Sequence, residues 1–145
     1  MKGGPALLDS DTLSELSRGH AKVTERARAY LEEHGRLTIS AVSIFERLRG
    51  YRAAILLGKP FDAHMRQFEM FATACLVLPV DSLVADRAAT IWAKLGARKR
   101  QAIGDILIVA TASAVGLSLV TRNRRDFEPM VTIDGIDVRL LDWTK

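Results

Sequence analysis

Short apolar runs alternate along this chain with longer segments of helical period, and that alternation sets the expected architecture. Ala6-Leu7-Leu8 reads as a brief strand ending at Asp9. Residues 11–18 follow as one or two helical turns, which Asp11 or Thr12 is placed to cap. Lys22 to His34 reads as a charged, exposed helix closed by Gly35. Leu37-Thr38-Ile39 predicts a second strand, and Ser40 stands where it can cap the next helix, Ala41 to Leu57. In that helix Ile44, Leu48, Tyr51 and Ile55 recur at spacings of four, three and four. Val42, Glu46, Ala53 and Leu57 fall on the opposite side, so both faces are partly apolar.

Gly58-Lys59-Pro60 ends this helix, and another is expected from Phe61 to about Thr73. Leu76 to Val80 predicts a third strand. Ser82 is placed to cap a helix that buries Val84, Ala88, Ile91 and Leu95. A polar loop from Gly96 to Gln101 leads into Ile103 to Val115, which is apolar all round and therefore expected as a buried central helix. Leu117 to Val120 predicts a fourth strand and Val138-Arg139-Leu140 a fifth. Apolar strands alternating with helices imply an α/β sandwich around a largely parallel sheet of four to five strands. No repeat, low-complexity tract or long linker divides the 145 residues, so one domain spanning 1–145 is expected.

Composition narrows the class. Hydrophobic residues make up 48% and charged residues 26%, which suits a globular domain and excludes a disordered one. The longest uncharged stretch, Ile106 to Thr121, is 16 residues with Thr, Ser and Gly inside it. That is short of the roughly 18–20 apolar residues of a membrane span. Met1-Lys2-Gly3-Gly4-Pro5 leads into few apolar residues, without the pattern of a signal peptide. The only cysteine, Cys75, sits within Ala74-Cys75-Leu76-Val77-Leu78 and reads as a small buried hydrophobe in a reducing compartment. A cytoplasmic protein with no membrane partner is expected.

The candidate chemistry lies in four carboxylates far apart in sequence. Asp9 follows the first strand and Asp126 the fourth, by way of Thr121-Arg122-Asn123. Asp105 opens the central helix, and Glu46 lies in the first turns of the third. Ligands of parallel sheets gather beyond the carboxyl ends of the strands. Each acid also has a purely structural reading. Asp9 or Asp11 would serve as an N-cap, Asp105 as a first-turn acid favoured by the helix dipole, Glu46 as a partner of Arg49, and Asp126 as a turn cap before Phe127-Glu128-Pro129. Against those readings, Glu46 and Asp105 are flanked by apolar residues, where an unpaired charge is costly and a metal ion would offset the cost.

The segments around these acids resemble the motifs of one family. Leu7-Leu8-Asp9-Ser10-Asp11-Thr12-Leu13-Ser14 looks like the opening motif of PIN domains. Ile39 to Gly50, carrying Glu46, looks like the second. Asp105-Ile106-Leu107-Ile108-Val109-Ala110-Thr111-Ala112 resembles the third, and Leu119 to Phe127, carrying Asp126, the fourth. Their order and spacing agree over nearly the whole chain. The resemblance is nearest to the VapC toxins of bacterial type II toxin–antitoxin pairs. Many relatives carry Asn where this chain has Asp11. Asp11 is a fifth acid or a helix cap, and the cap is the preferred reading.

The resemblance implies a PIN-like α/β/α sandwich and an endoribonuclease dependent on Mg²⁺ or Mn²⁺, ions that prefer oxygen ligands. It implies Asp9 and Asp105 as metal ligands, with Asp126 completing the site. Glu46 would hold a coordinated water or a second ion, and Thr121 and Asn123 would position the acids or a phosphate. Charge agrees with an RNA substrate. Setting the four acids aside leaves 13 of the 17 acidic residues against 21 Lys and Arg, a surplus of eight. Arg98-Lys99-Arg100 and Arg122, Arg124 and Arg125 are candidates for the RNA backbone. The resemblance also implies a homodimer and a cognate antitoxin. The helices from Ala41 to Leu57 and around Phe61, Met65, Phe68 and Phe71 offer apolar surface for both, unless all of it is core.

Two other readings compete. Asp9-Ser10-Asp11 after a strand, with Thr121 later, is similar to haloacid-dehalogenase phosphatases. That family, however, expects Thr or Val where this chain has Leu13, and its closing acidic motif after the threonine, whereas Gly104-Asp105 precedes it. The other is a PIN fold that binds RNA or protein without catalysis, against which stands the presence of all four acids.

Overall fold

The computed structural model describes residues 4–145. The first three residues, which begin the stretch inspected for a signal peptide, lie outside them. The elements are β1 (Ala6–Leu8), α1 (Ser10–Ser17), α2 (Ala21–His34), β2 (Thr38–Ser40), α3 (Ala41–Leu56), α4 (Asp62–Ala74), β3 (Leu76–Leu78) and α5 (Ser82–Lys94). A 3₁₀ turn (Lys99–Gln101), α6 (Ile103–Val115), β4 (Ser118–Val120), α7 (Arg124–Val131) and β5 (Leu140–Leu141) complete the chain. The five strands form one parallel sheet in the order β3-β2-β1-β4-β5. The α/β class and the largely parallel sheet are therefore as the pattern predicts.

Strand residues divide the core in two. Leu7, Leu119 and Leu140 face one side, where they pack with Val84, Ile91, Ile106, Val109 and Phe127 of α5, α6 and α7. Ala6, Leu8, Ile39 and Val120 face the other, against Leu13, Val23, Ala27 and Tyr30 of α1 and α2. This is the period-two alternation of a pleated strand covered on both faces. It yields the three-layer sandwich. The central helix is buried from Ile108 to Ser113. Cys75 is buried too, and burial pushes its thiol up to about 11, in keeping with a small hydrophobe. Among the described residues no helix is long and apolar enough to cross a membrane.

The local corrections concern caps and ends. The cap of α1 is Asp9, not Asp11 or Thr12: its Oδ1 accepts from the Thr12 backbone N–H at 2.7 Å. A cap stands just before the first helical residue and satisfies the N–H two or three positions on, and Asp9 holds that place once α1 starts at Ser10. By the same geometry Asp81, not Ser82, caps α5, through Val84 N–H at 3.0 Å. Ser40 caps α3 as expected. The fifth strand falls at Leu140–Leu141 rather than 138–140, although Val138 is still buried. The turn expected at Asp126-Phe127-Glu128-Pro129 is instead part of α7, with Pro129 inside it. Pro129 removes one helical hydrogen bond, but buried Phe127 and Met130 hold this short helix to the core.

The chain leaves β1 for β2 and β3 on one side, then returns to β4 on the other. The order thus reverses between β1 and β4, and the crevice beyond their carboxyl ends is where such sheets bind ligands. Asp9 and Thr121 are the first residues past those two ends.

Candidate active site

Asp9 is buried at this crevice, only 2% exposed. Its backbone N–H donates to Val120 O at 3.1 Å, which ties the two strand ends together. Burial raises its carboxyl above the usual range, opposed by hydrogen bonds from the Thr121 side chain and from Thr12. Thr121 is 1% exposed, and its Oγ1 also accepts from the Asn123 backbone N–H at 3.0 Å. Thr121 therefore fixes both the first acid and the start of the loop leading to Asp126.

Asp105 stands in the first turn of α6 and is half-buried. Its carboxyl is pushed up to about 6, first by burial, then by the charges of Glu46, Asp9 and Asp126, with Lys99 pulling the other way. Three acids, from α3, the end of β1 and α7, thus act on a fourth from α6, and the sheet brings together residues separated by as many as 117 positions. Asp105 lines two adjoining grooves. One, of about 660 Å³, runs past Phe45, Glu46, Arg49, Ile103 and Gly104. The other, of about 490 Å³, runs past Arg98, Lys99, Arg125, Asp126 and Met130.

Glu46 is not paired with Arg49, whose guanidinium lies 5.3 Å from the centre of the Phe45 ring. Its Oε1 instead accepts from Ser10 Oγ at 2.7 Å, and Ser10 Oγ stands 3.0 Å from Ser43 Oγ. The carboxylate lies against the start of α6, where any Cβ at Gly104 would overlap it. Ser10, Ser43 and Gly104 therefore fix where the Glu46 charge points, and sequence reading missed all three. Their only sequence signal is position: Ser10 directly follows Asp9, Gly104 directly precedes Asp105, and Ser43 lies one helical turn before Glu46. A Gly104→Ala protein should fold normally, since Ala favours helices, yet Glu46 must move. A misplacement of about 1 Å can cost on the order of 10²-fold in rate. That loss is expected in single-turnover RNA cleavage, with an unchanged urea midpoint.

Asp126 lies in the first turn of α7, is half-exposed, and has Lys99 Nζ 3.4 Å from its Oδ1. Asp11 neither caps α1 nor acts on Asp105. Its Oδ2 accepts from Arg122 Nε at 2.8 Å and from Asn123 Nδ2 at 3.2 Å. Arg122 also reaches buried Glu15 at 3.2 Å, and Glu15 pairs with Arg18 as well. Arg18, and then Arg122 and His20, hold the Glu15 carboxyl below its usual range against desolvation. This cluster locks α1 to the loop after β4, so Asn123 orients Asp11 rather than one of the four acids.

The basic candidates divide accordingly. Arg98, Lys99 and Arg125 line the groove beside Asp105 and Asp126. Arg100 donates to the Trp92 and Ala93 carbonyls at the end of α5 and stacks over the Trp92 ring. Arg122 is held by Asp11 and Glu15, and Arg124 by Glu128 and Leu140 O. Among the described residues, no three Asp, Glu, His or Cys side chains are grouped tightly enough to enclose an ion directly. Glu46, Asp105 and Asp126 line the two grooves, buried Asp9 acts on Asp105 through its charge, and the donors are oxygens only.

The fold has solved counterparts. The chain matches the DNA-bound VapBC of Salmonella typhimurium with a TM-score of 0.75 and 24% identity, over 96% of this chain and 98% of the other. It matches VapBC-1 of nontypeable Haemophilus influenzae at 0.74 and 19%, over 98% and 100%. A toxin–antitoxin complex from Klebsiella pneumoniae matches at 0.64 and 22%, over 94% and 95%. At these identities the likeness is one of fold. No curated protein matches the chain. The family model described as PIN domain matches residues 6–130, a span that takes in β1 through most of α7 and all four acids. A five-stranded parallel sheet with acids at its switch point, and a family match over most of its length, together make this chain a member of the PIN-domain family.

Proposed function

We propose that this chain is a divalent-metal-dependent endoribonuclease and the toxin of a type II toxin–antitoxin pair. The observation that carries the reading is Asp105, a half-buried carboxyl raised to about 6 by burial and by Glu46, Asp9 and Asp126. Such crowding disfavours the charged acids unless a cation joins them. The donor set fits Mg²⁺ or Mn²⁺: it is all oxygen, strongly negative and open enough for an ion that keeps several waters. Asp9, Asp105 and Asp126 would hold the ion, with Glu46 orienting a water. Bound there, the ion would neutralise a phosphodiester and lower the pKa of a water.

The chain's own residues supply the rest. Ser10, Ser43 and Gly104 aim Glu46, and Thr121 aims Asp9. Arg98, Lys99 and Arg125 border the groove and would hold an RNA backbone in a salt-sensitive way. Support for an antitoxin partner comes from the VapBC and toxin–antitoxin complexes that the fold resembles. Support for a homodimer is the apolar surface left outside the core, with Phe45 60%, Leu56 88% and Met70 73% exposed. A cytoplasmic site of action and a single domain across the chain complete the proposal.

A second reading, a PIN fold that binds without cutting, is favoured by the absence of a tight ligand cage among the described residues. One experiment separates the two. Wild type and Asp105→Asn are expressed in cells, and RNA 5′ ends are mapped across the transcriptome. New ends at defined sites are expected with wild type and not with the variant. Identical maps would refute the nuclease.

A further inference from the structure

Lys99 sits in the short 3₁₀ turn just before α6. Its ammonium stands 3.4 Å from Asp126 Oδ1, and it lines the same groove as Asp105. Arg98 and Arg125 line the groove as well, but among the described residues Lys99 is the cation paired with one of its acids, while Arg100 is committed to the end of α5 and Arg122 to Asp11 and Glu15. We propose that Lys99 is the resident counter-cation of the acidic pocket and competes with the divalent ion for Asp126. The proposal rests on reading that pocket as a divalent-ion site. It deepens that reading by naming the residue that tunes ion affinity.

The physical case is a matter of sign. Lys99 partly neutralises the acids, and its charge opposes their combined push on Asp105. A dication placed among the same carboxylates would meet that ammonium as a like charge. The exposed Lys99–Asp126 pair contributes little stability of its own, so breaking it is easy. The larger cost is repulsion at close range, which the long lysine stem relieves by swinging outward. Ion affinity is therefore held below what the acids alone would give.

Mn²⁺ binding to the full chain, measured by isothermal titration calorimetry, tests this. Lys99→Met should lower the Kd about tenfold, the order set by water-screened repulsion between an ammonium and a dication a few ångströms apart. Lys99→Gln should do the same, which guards against a folding defect peculiar to one variant. Lys99→Arg, which keeps the charge, should bind like wild type, and the gain should shrink as NaCl is raised. A residue with a merely structural role would not tighten binding when removed. An unchanged or weaker Kd in both neutral variants overturns the proposal while leaving the metal site intact. Wild-type Mn²⁺ binding that is absent, or indifferent to Asp105→Asn, overturns the metal-site reading and the proposal with it.

Discussion

Asp105→Asn should slow RNA cleavage on the order of a thousandfold and at the same time make the ion-free protein more stable. On the proposed reading, the first effect follows from losing a ligand of the ion that would neutralise the reacting phosphodiester, and one such electrostatic contribution is commonly worth about that much. The second follows from the direction of the shift. Asp105 has an ordinary value of 3.8 and is raised to about 6 in the folded chain. A carboxyl raised on folding binds its proton more tightly in the native state. Its favourable contribution is complete below about pH 4 and is lost as pH climbs through about 6, leaving a native state that carries an unwelcome charge at pH 7. Asn keeps the shape without the charge and should regain about 2–3 kcal/mol at pH 7–8, and nothing at pH 4. Urea unfolding of both proteins at the two pH values measures this. Mn²⁺ should stabilise wild type at pH 7–8 and leave the variant unmoved. A variant that is less stable than wild type at pH 7–8 without metal would show that Asp105 is held by favourable contacts, contrary to the crowding described above.

Phe127→Ala should cost about 3–5 kcal/mol, the usual range for emptying a fully buried aromatic site. Phe127 is 2% exposed and packs in the larger core cluster beside Met130 of the same helix. Total stabilities of such domains are about 5–15 kcal/mol, so the variant would fold marginally. The consequence reaches the acids. Asp126 precedes Phe127 by one residue, and α7 has no capping side chain at its start. The burial of Phe127 and Met130 therefore decides where Asp126 stands. Urea midpoints give the stability loss, and Lys99→Met/Phe127→Ala should lose the tightened Mn²⁺ binding of Lys99→Met alone. A cost under about 1 kcal/mol would mean that α7 is not packed as described.

The chain's pattern was enough for much of this. Short apolar runs at residues 6–8 and 117–120, and an all-apolar helix at 103–115, announce strands and a core helix because burial in each is read from a few adjacent positions. Four acids at strand ends and helix starts are visible for the same local reason. The sheet register lies beyond such local reading. Leu8 pairs with Val120, and that one alignment places Asp9 beside Thr121 and lets Arg122 reach Asp11 across 111 residues. It turns Arg122 from a candidate RNA ligand into a strap on α1. Glu46 could have paired with Arg49 three residues along its own helix; only the packing of α1 and α6 against α3 gives it to Ser10 and Gly104 instead. Asp126-Phe127-Glu128-Pro129 is locally a turn, and becomes helix because the core takes Phe127 and Met130. What the sequence determined by itself were the layers and the acids. Which partner each charge meets was decided by tertiary structure, because a side-chain pairing depends on two distant backbones being held in register within an ångström or two of each other.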